Sequence, residues 1–250
     1  MPKTSADGVY PAGQSVAPRK SDIVYHHVKR RIILGEYTVM RALTEQRLAT
    51  ELGCSQSTVR EALMRLEQEG FVTRRGYQGT MVSLTSLAEA AQMIRIRLLI
   101  ERSAARELAQ SIFASDRTEI LGITERMDKA RSDNNYYACS ELDRQFHTGL
   151  LKAASMEALV PIALRCSHYI HRFTLSHASR GTQQSIKADL GRIHRKLLDD
   201  IADGTPDQAE QAVIGHIQQV LQYGAPSLLH AVVDGTEASI SSPSQPLNTT

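Results

Sequence analysis

A chain of 250 residues with 42% apolar residues and a net charge of only +2 can bury one large core or two modest ones, and is too apolar to be disordered throughout. Its three cysteines, Cys54, Cys139 and Cys166, are an odd number and none lies in a C-x-x-C pair, which argues against a disulfide framework and for a reducing cytoplasm. No membrane partner is expected: the most hydrophobic run, MIRIRLLI, is broken by Arg95 and Arg97, and the N-terminus lacks the apolar segment of a secretory signal.

Residues 1–19 read as a flexible, weakly basic arm. A first helix is expected from near Ser21, with Ile23, Val24, Val28, Ile32 and Ile33 inward and Lys29, Arg30 and Arg31 outward. Thr44 then caps a helix whose Leu48, Ala49 and Leu52 share a face, and Gly53 supplies the positive φ at which it stops. Ser55 caps a second helix, with Val59, Leu63 and Leu66 as its inward stripe and Gln56, Ser57, Thr58, Arg60 and Arg65 outward. Hydroxyls, an amide and a guanidinium near a helix N-terminus suit a reader of the DNA major groove, since they bond phosphates and base edges in one insertion. Two short β-prone runs, FVTRR and TMVSL, follow across a glycine-containing joint and predict a hairpin wing. Its Arg74, Arg75 and Gly79 suit phosphate or minor-groove contact, and Gln46 completes the candidate DNA-binding set. Residues 1–84 carry 12 Lys+Arg against 8 Asp+Glu, and the remainder 17 against 19, so the basic half is the half with the helix-turn-helix.

Across LTEQRLATELGCSQSTVREALMRLEQEGFV the sequence resembles the winged helix-turn-helix of the GntR family of bacterial transcription regulators. The resemblance implies that Arg60 and the segment Ser55 to Thr58 touch a double-stranded operator. The family often has arginine where this chain has Gln46 and Gln56, so the operator sequence does not carry over.

After the wing, Ser86-Leu-Ala-Glu89 is a capping box opening a long helix through about Gln110. Helix signals recur near 116–131, 134–153, 156–177, 183–203 and 206–223, without a strand among them. The fold class is therefore mainly α: a winged helix-turn-helix over residues 20–84, then an all-helical bundle over 85–224. The tail, 225–250, ends in small residues and prolines and is expected to be disordered.

One constellation in the bundle carries chemistry. Asp143 and His147 are four apart and share a helical face. The capping box Thr205-Pro-Asp-Gln208 starts a new antiparallel helix after Gly204, which places His194 and His216 at similar distances, roughly 16 Å, on either side of the turn. Three imidazoles and a carboxylate suit a divalent transition ion, zinc or nickel, with positions left for an external ligand. The alternative for Asp143 and His147 alone is an ordinary ion pair. His168 and His171 form a rival pair that lacks a carboxylate at matched height.

At these positions the chain resembles the FadR-type branch of GntR regulators, whose effector domain is called FCD. The resemblance implies Asp143, His147, His194 and His216 as metal ligands and places Arg97 at a cavity for a small organic acid. A guanidinium grips a carboxylate bidentately, and the competing reading is an intrahelical pair between Arg97 and Glu101. The expected function is a homodimeric, ligand-responsive DNA-binding regulator and not an enzyme. The alternatives are a metal-dependent hydrolase fused to a DNA-binding module, or a regulator that senses the metal itself.

Overall fold

The computed structural model describes residues 19–39, 42–74, 79–177 and 189–240. Arg75, expected in the wing, lies outside them, as do the N-terminal arm, the start of the helix expected from residue 183 and the last ten residues.

The N-terminal unit is built from α1 (Lys20–Ile33), α2 (Glu45–Leu52) and α3 (Gln56–Gln68), followed by β1 (Val72–Arg74) and β2 (Thr80–Val82). The Thr44 side chain accepts from the Arg47 N–H at the start of α2, and Gly53 ends that helix at φ 61, the left-handed conformation a β-carbon would oppose. The strands pair antiparallel in the register Val72 with Val82 and Arg74 with Thr80, and Leu43 bridges to Thr80, tying the entrance of α2 to the wing. Val24, Val28, Ile32, Leu48, Val59, Leu63, Leu66 and Phe71 fill one core.

Two expectations for α1 are corrected. Ile23 is half exposed, and Lys29 is 3% exposed. The amphipathic pattern fails there because α1 meets a second surface, that of α7, in addition to its own core.

The bundle comprises α4 (Leu87–Leu108), α5 (Ala114–Ser132), α6 (Tyr136–Ala153), a 3₁₀ turn (Glu157–Leu159), α7 (Val160–His177), α8 (Leu190–Asp203), α9 (Pro206–Gly224) and α10 (Pro226–Ile240). The Ser86 cap of α4 and the Thr205–Gln208 capping box of α9 both form. The second core packs Ile94, Met127, Phe146, Ile170, Leu198, Val213 and Leu228.

Helix α10 corrects the disordered-tail reading over residues 226–240. Pro226 is pre-set for a first helical turn, and Leu228 and Val232, four apart, are buried against the bundle. Arg95 of α4 donates to the Ala231 and Val232 carbonyls at 2.6 and 3.0 Å, anchoring the helix from its polar side.

Candidate functional site: a DNA-facing surface and a buried polyhistidine centre

On α3 the N-cap Ser55 hydroxyl accepts from the Thr58 N–H and lies 2.8 Å from the hydroxyls of Ser57 and Thr58, so the helix begins with a cluster of exposed hydroxyls. Gln46, Gln56 and Ser57 are exposed beside it. Arg60 is exposed and already held: its Nε and Nη2 donate to both Glu45 oxygens at 3.0 and 2.7 Å. This bidentate grip leaves the Nη1 end of the guanidinium pointing away from Glu45. Arg74 on the wing is exposed and pairs with Glu67 at 3.4 Å, and Gly79 holds φ 79 where β2 begins.

Arg65 departs from the expected surface. It lies about 140° around α3 from Arg60 by helical geometry, and the structure pairs it with Asp22 at 3.1 Å and stacks it 3.8 Å over the Tyr25 ring of α1. It holds α1 to α3.

In the bundle, His147 from α6, His194 from α8 and His216 from α9 each bring a ring nitrogen within 4.8 Å of the others. Their ring centroids are 4.6–5.4 Å apart, and all three side chains are buried. Three imidazole nitrogens this close are a donor set that could hold one divalent ion. Asp143, one turn before His147, places Oδ1 3.1 Å from His194 Nε2 and 3.7 Å from His147 Nε2.

The hydrogen bonds on the far sides of the rings test whether these residues fit a cation. His194 Nδ1 lies 2.7 Å from the Leu190 carbonyl, which can only accept, so Nδ1 carries a proton and Nε2 is the nitrogen turned toward Asp143. His147 Nδ1 lies 2.9 Å from Glu101 Oε2, and neither of its ring nitrogens has a hydrogen-bonding partner, Nε2 lying on the inner side of the cluster. Ring nitrogens of three histidines and a carboxylate oxygen thus converge on one point inside the bundle. That is the arrangement a cation resolves, and carboxylates behind ligand imidazoles fix the ring as metal sites require. Burial, then the neighbouring His194 and His147, push His216 well below the ordinary histidine pKa, keeping it a neutral donor. Burial opposes ionisation of Asp143, but Arg97 and His147 outweigh it and hold its carboxyl well below the usual range.

Arg97 pairs along its own helix and also faces a cavity. Its Nε donates to Glu101 Oε1 at 2.5 Å, and Nη2 lies 3.8 Å from Asp143 Oδ2. It also lines a cavity of about 140 Å³ with Asp143, His171 and His216.

A model of the bacterial regulatory proteins of the gntR family matches residues 20–82, and a model of the FCD domain matches residues 92–219, just over half the chain.

The chain belongs to the GntR family and carries an FCD effector domain.

It is 25% identical over 76% of its length, and 82% of the relative's, to a protein described as a probable D-xylose utilization operon transcriptional repressor of Paenarthrobacter nicotinovorans. It is 24% identical over 80% of its length to the Glc operon transcriptional activator of Escherichia coli K12, covering 86% of that protein. Its fold matches that of E. coli McbR/YncC with a TM-score of 0.65 over 82% of this chain and 97% of the other, at 18% identity. The first two are described as transcription regulators, one a probable repressor and one an activator. No helix among the described residues is long and apolar enough to cross a membrane.

Sequence reasoning missed two residues of this GntR protein's buried centre. His171, which without a carboxylate at matched height reads as a cavity-lining or surface residue, does line the cavity, but its Nε2 also lies 3.0 Å from Asp143 Oδ2. Glu101 was seen only as a partner of Arg97, yet it also backs His147. The i,i+4 spacing to Arg97 was the one available signal for Glu101. For His171, 28 residues from Asp143 and on another helix, there was none.

Proposed function

We propose that this regulator binds a two-fold symmetric operator as a homodimer in the cytoplasm, and that its helical domain holds a divalent ion and a small carboxylate that together set the affinity for DNA. The proposed reading surface is Gln46, Ser55, Gln56, Ser57, Thr58 and Arg60, flanked by Arg74, Arg75 and Gly79. The proposed ligands of the ion are Asp143, His147, His194 and His216, which as N/O donors suit zinc, with nickel next. A bound dication would supply positive charge for an acid at the cavity. Arg97, oriented by Glu101, would supply the second cationic contact.

The observation that carries this reading is the course of α7. His171 holds Asp143 on one side of the helix, while the next residue, Arg172, donates from Nη1 to the Gly70 carbonyl at 2.6 Å, just after α3. Arg172 is 5% exposed and stacks near the rings of Phe71 and Tyr169. Consecutive residues of one rigid helix therefore touch the buried carboxylate and the exit of the proposed recognition helix. A ligand that binds two positions of α7 unequally would shift the winged unit.

Operator binding measured by fluorescence anisotropy, with zinc and acids titrated separately, tests the proposal. His147→Ala should lower metal content and abolish the acid response while sparing basal DNA binding. Arg172→Met should leave metal content unchanged and weaken the response. A protein that takes up no stoichiometric ion after reloading yet responds fully to acids would refute the metal assignment. A response to zinc alone would make the ion itself the signal.

A further inference from the structure

The cavity beside the buried histidines says more about its occupant than that it is acidic. One end is ionic, formed by Arg97, Asp143, His171 and His216. The remaining wall is mostly hydrocarbon, contributed by Ile170, Leu190, Ile193, Ile217, Val220 and Leu221.

Among the described residues two aliphatic hydroxyls line this wall, and neither has a proton to offer. Ser140 donates to the Tyr137 carbonyl at 2.8 Å and Thr174 to the His171 carbonyl at 3.2 Å, each within its own helix. The other polar lining groups among the described residues are Arg131, Tyr136 and Tyr223, all partly or largely exposed, with Arg131 lying over the Tyr136 ring. They belong to the cavity's solvent side. A polyhydroxylated ligand would leave hydroxyls facing isoleucine and valine, at a loss of order tenfold in affinity for each one buried without a partner.

Size narrows the class further. The cavity volume of about 140 Å³ is close to that of an apolar cavity that accepts a benzene ring. From the ionic end, the hydrocarbon wall and this volume together, we infer that the effector is an organic acid with a compact hydrocarbon body, an aromatic or branched-chain carboxylate, and not a sugar acid. The carboxylate meets Arg97 and the histidine end, and the ring or branched chain packs between α7, α8 and α9. This inference rests on the acid-responsive reading above and adds the chemistry of the ligand's body.

The test is titration calorimetry and thermal shift on the zinc-loaded full chain, with phenylacetate, 4-methylvalerate and gluconate as probes. Phenylacetate or 4-methylvalerate should bind at least tenfold more tightly than gluconate. Val220→Asn, at a half-buried position, should weaken the better apolar acid about tenfold and leave the unfolding temperature of the ligand-free protein unchanged, whereas Val220→Ile should retain binding. Gluconate binding as tightly as the apolar acids, or more so, would overturn the inference and leave an acid-responsive regulator standing. Failure of all three probes to bind at millimolar concentration would overturn the acid-responsive reading itself.

Discussion

Two arginine–glutamate pairs in this molecule share their chemistry and differ in everything that burial controls. Arg60 and Glu45 lie on the proposed DNA-reading surface with side chains 58% and 25% exposed, whereas Arg97 and Glu101 lie beside the histidine cluster at 7% and 1%. Water screens the first pair, so it sets where a guanidinium points and contributes little to stability. The second pair has no water to fall back on, and each member must be matched or the fold suffers. The comparison separates positions that tune recognition from positions that hold the structure.

The largest expected effect is therefore Glu101→Ala. The change strips Arg97 of its closest partner and His147 of the carboxylate behind Nδ1. Breaking such a buried pair should cost about 3–5 kcal/mol in urea unfolding. Loss of a carboxylate behind a ligand imidazole should also cut metal affinity about 10- to 100-fold. Unfolding curves and metal analysis of the same preparation check both. A loss below about 1 kcal/mol would place the pair in the screened class with Arg60 and Glu45.

Between the extremes stands Lys29, a buried amine 3.0 Å from His168 Nε2 and 3.5 Å from Glu141, whose carboxylate it shares with Arg144. Burial, then Arg144, lower its pKa from 10.5 to about 7 despite Glu69. Between those two values the unfolded chain keeps a proton that the folded protein has released. Stability from this group should thus rise with pH from about 7 toward 10.5, by at most about 1.4 kcal/mol per pH unit. The penalty is fully present below pH 7. Lys29→Met should remove that slope and stabilise the protein most at acidic pH. Thermal unfolding of both proteins from pH 6 to 10 is the measurement, and parallel pH profiles would reject a desolvated amine.

Lys29 also marks where the sequence stopped being legible. Local signals placed the elements well: caps at Thr44, Ser55 and Thr205 form as read, Ser86 caps α4 while its own N–H goes to the Tyr169 hydroxyl and not to Glu89, and the spacing around Gly204 brings His194 and His216 together. Failures came where a second surface, distant in sequence, meets an element. α1 buries Lys29 because α7 packs on it, and His171 finds Asp143 across two helices. Helix α10 was hidden by composition, since the polar, proline-containing segment that ends the chain masked the Leu228 and Val232 periodicity just before it. Arg65 was legible as exposed, but not as a clamp on Asp22 and Tyr25 of α1. Periodicity shows that a residue lies on a face, and not what that face meets.

On the exposed side, Arg60→Ala should weaken operator binding about 10- to 100-fold if the guanidinium contacts a base, with no change in the unfolding midpoint. Competition binding at fixed salt against unrelated duplex measures the discrimination. Equal weakening on both duplexes would make Arg60 a phosphate contact.

Glu45→Gln should have the smallest effect on the fold and sharpens the comparison most. Glu45 occupies Nε and Nη2 of Arg60, so the end of the fork carrying Nη1 remains for a guanine edge. If Glu45 aims that end, neutralising it frees the side chain to swing toward phosphates. At the same time it removes a negative charge from a surface that approaches DNA. Binding to unrelated duplex should then rise a few-fold, operator binding should change little, and the ratio between them should fall. The salt dependence of non-specific binding should steepen, since one more cation reaches the backbone. An unchanged ratio would mean that Glu45 merely accompanies Arg60. The screened pair would then do nothing for recognition that a lone arginine could not.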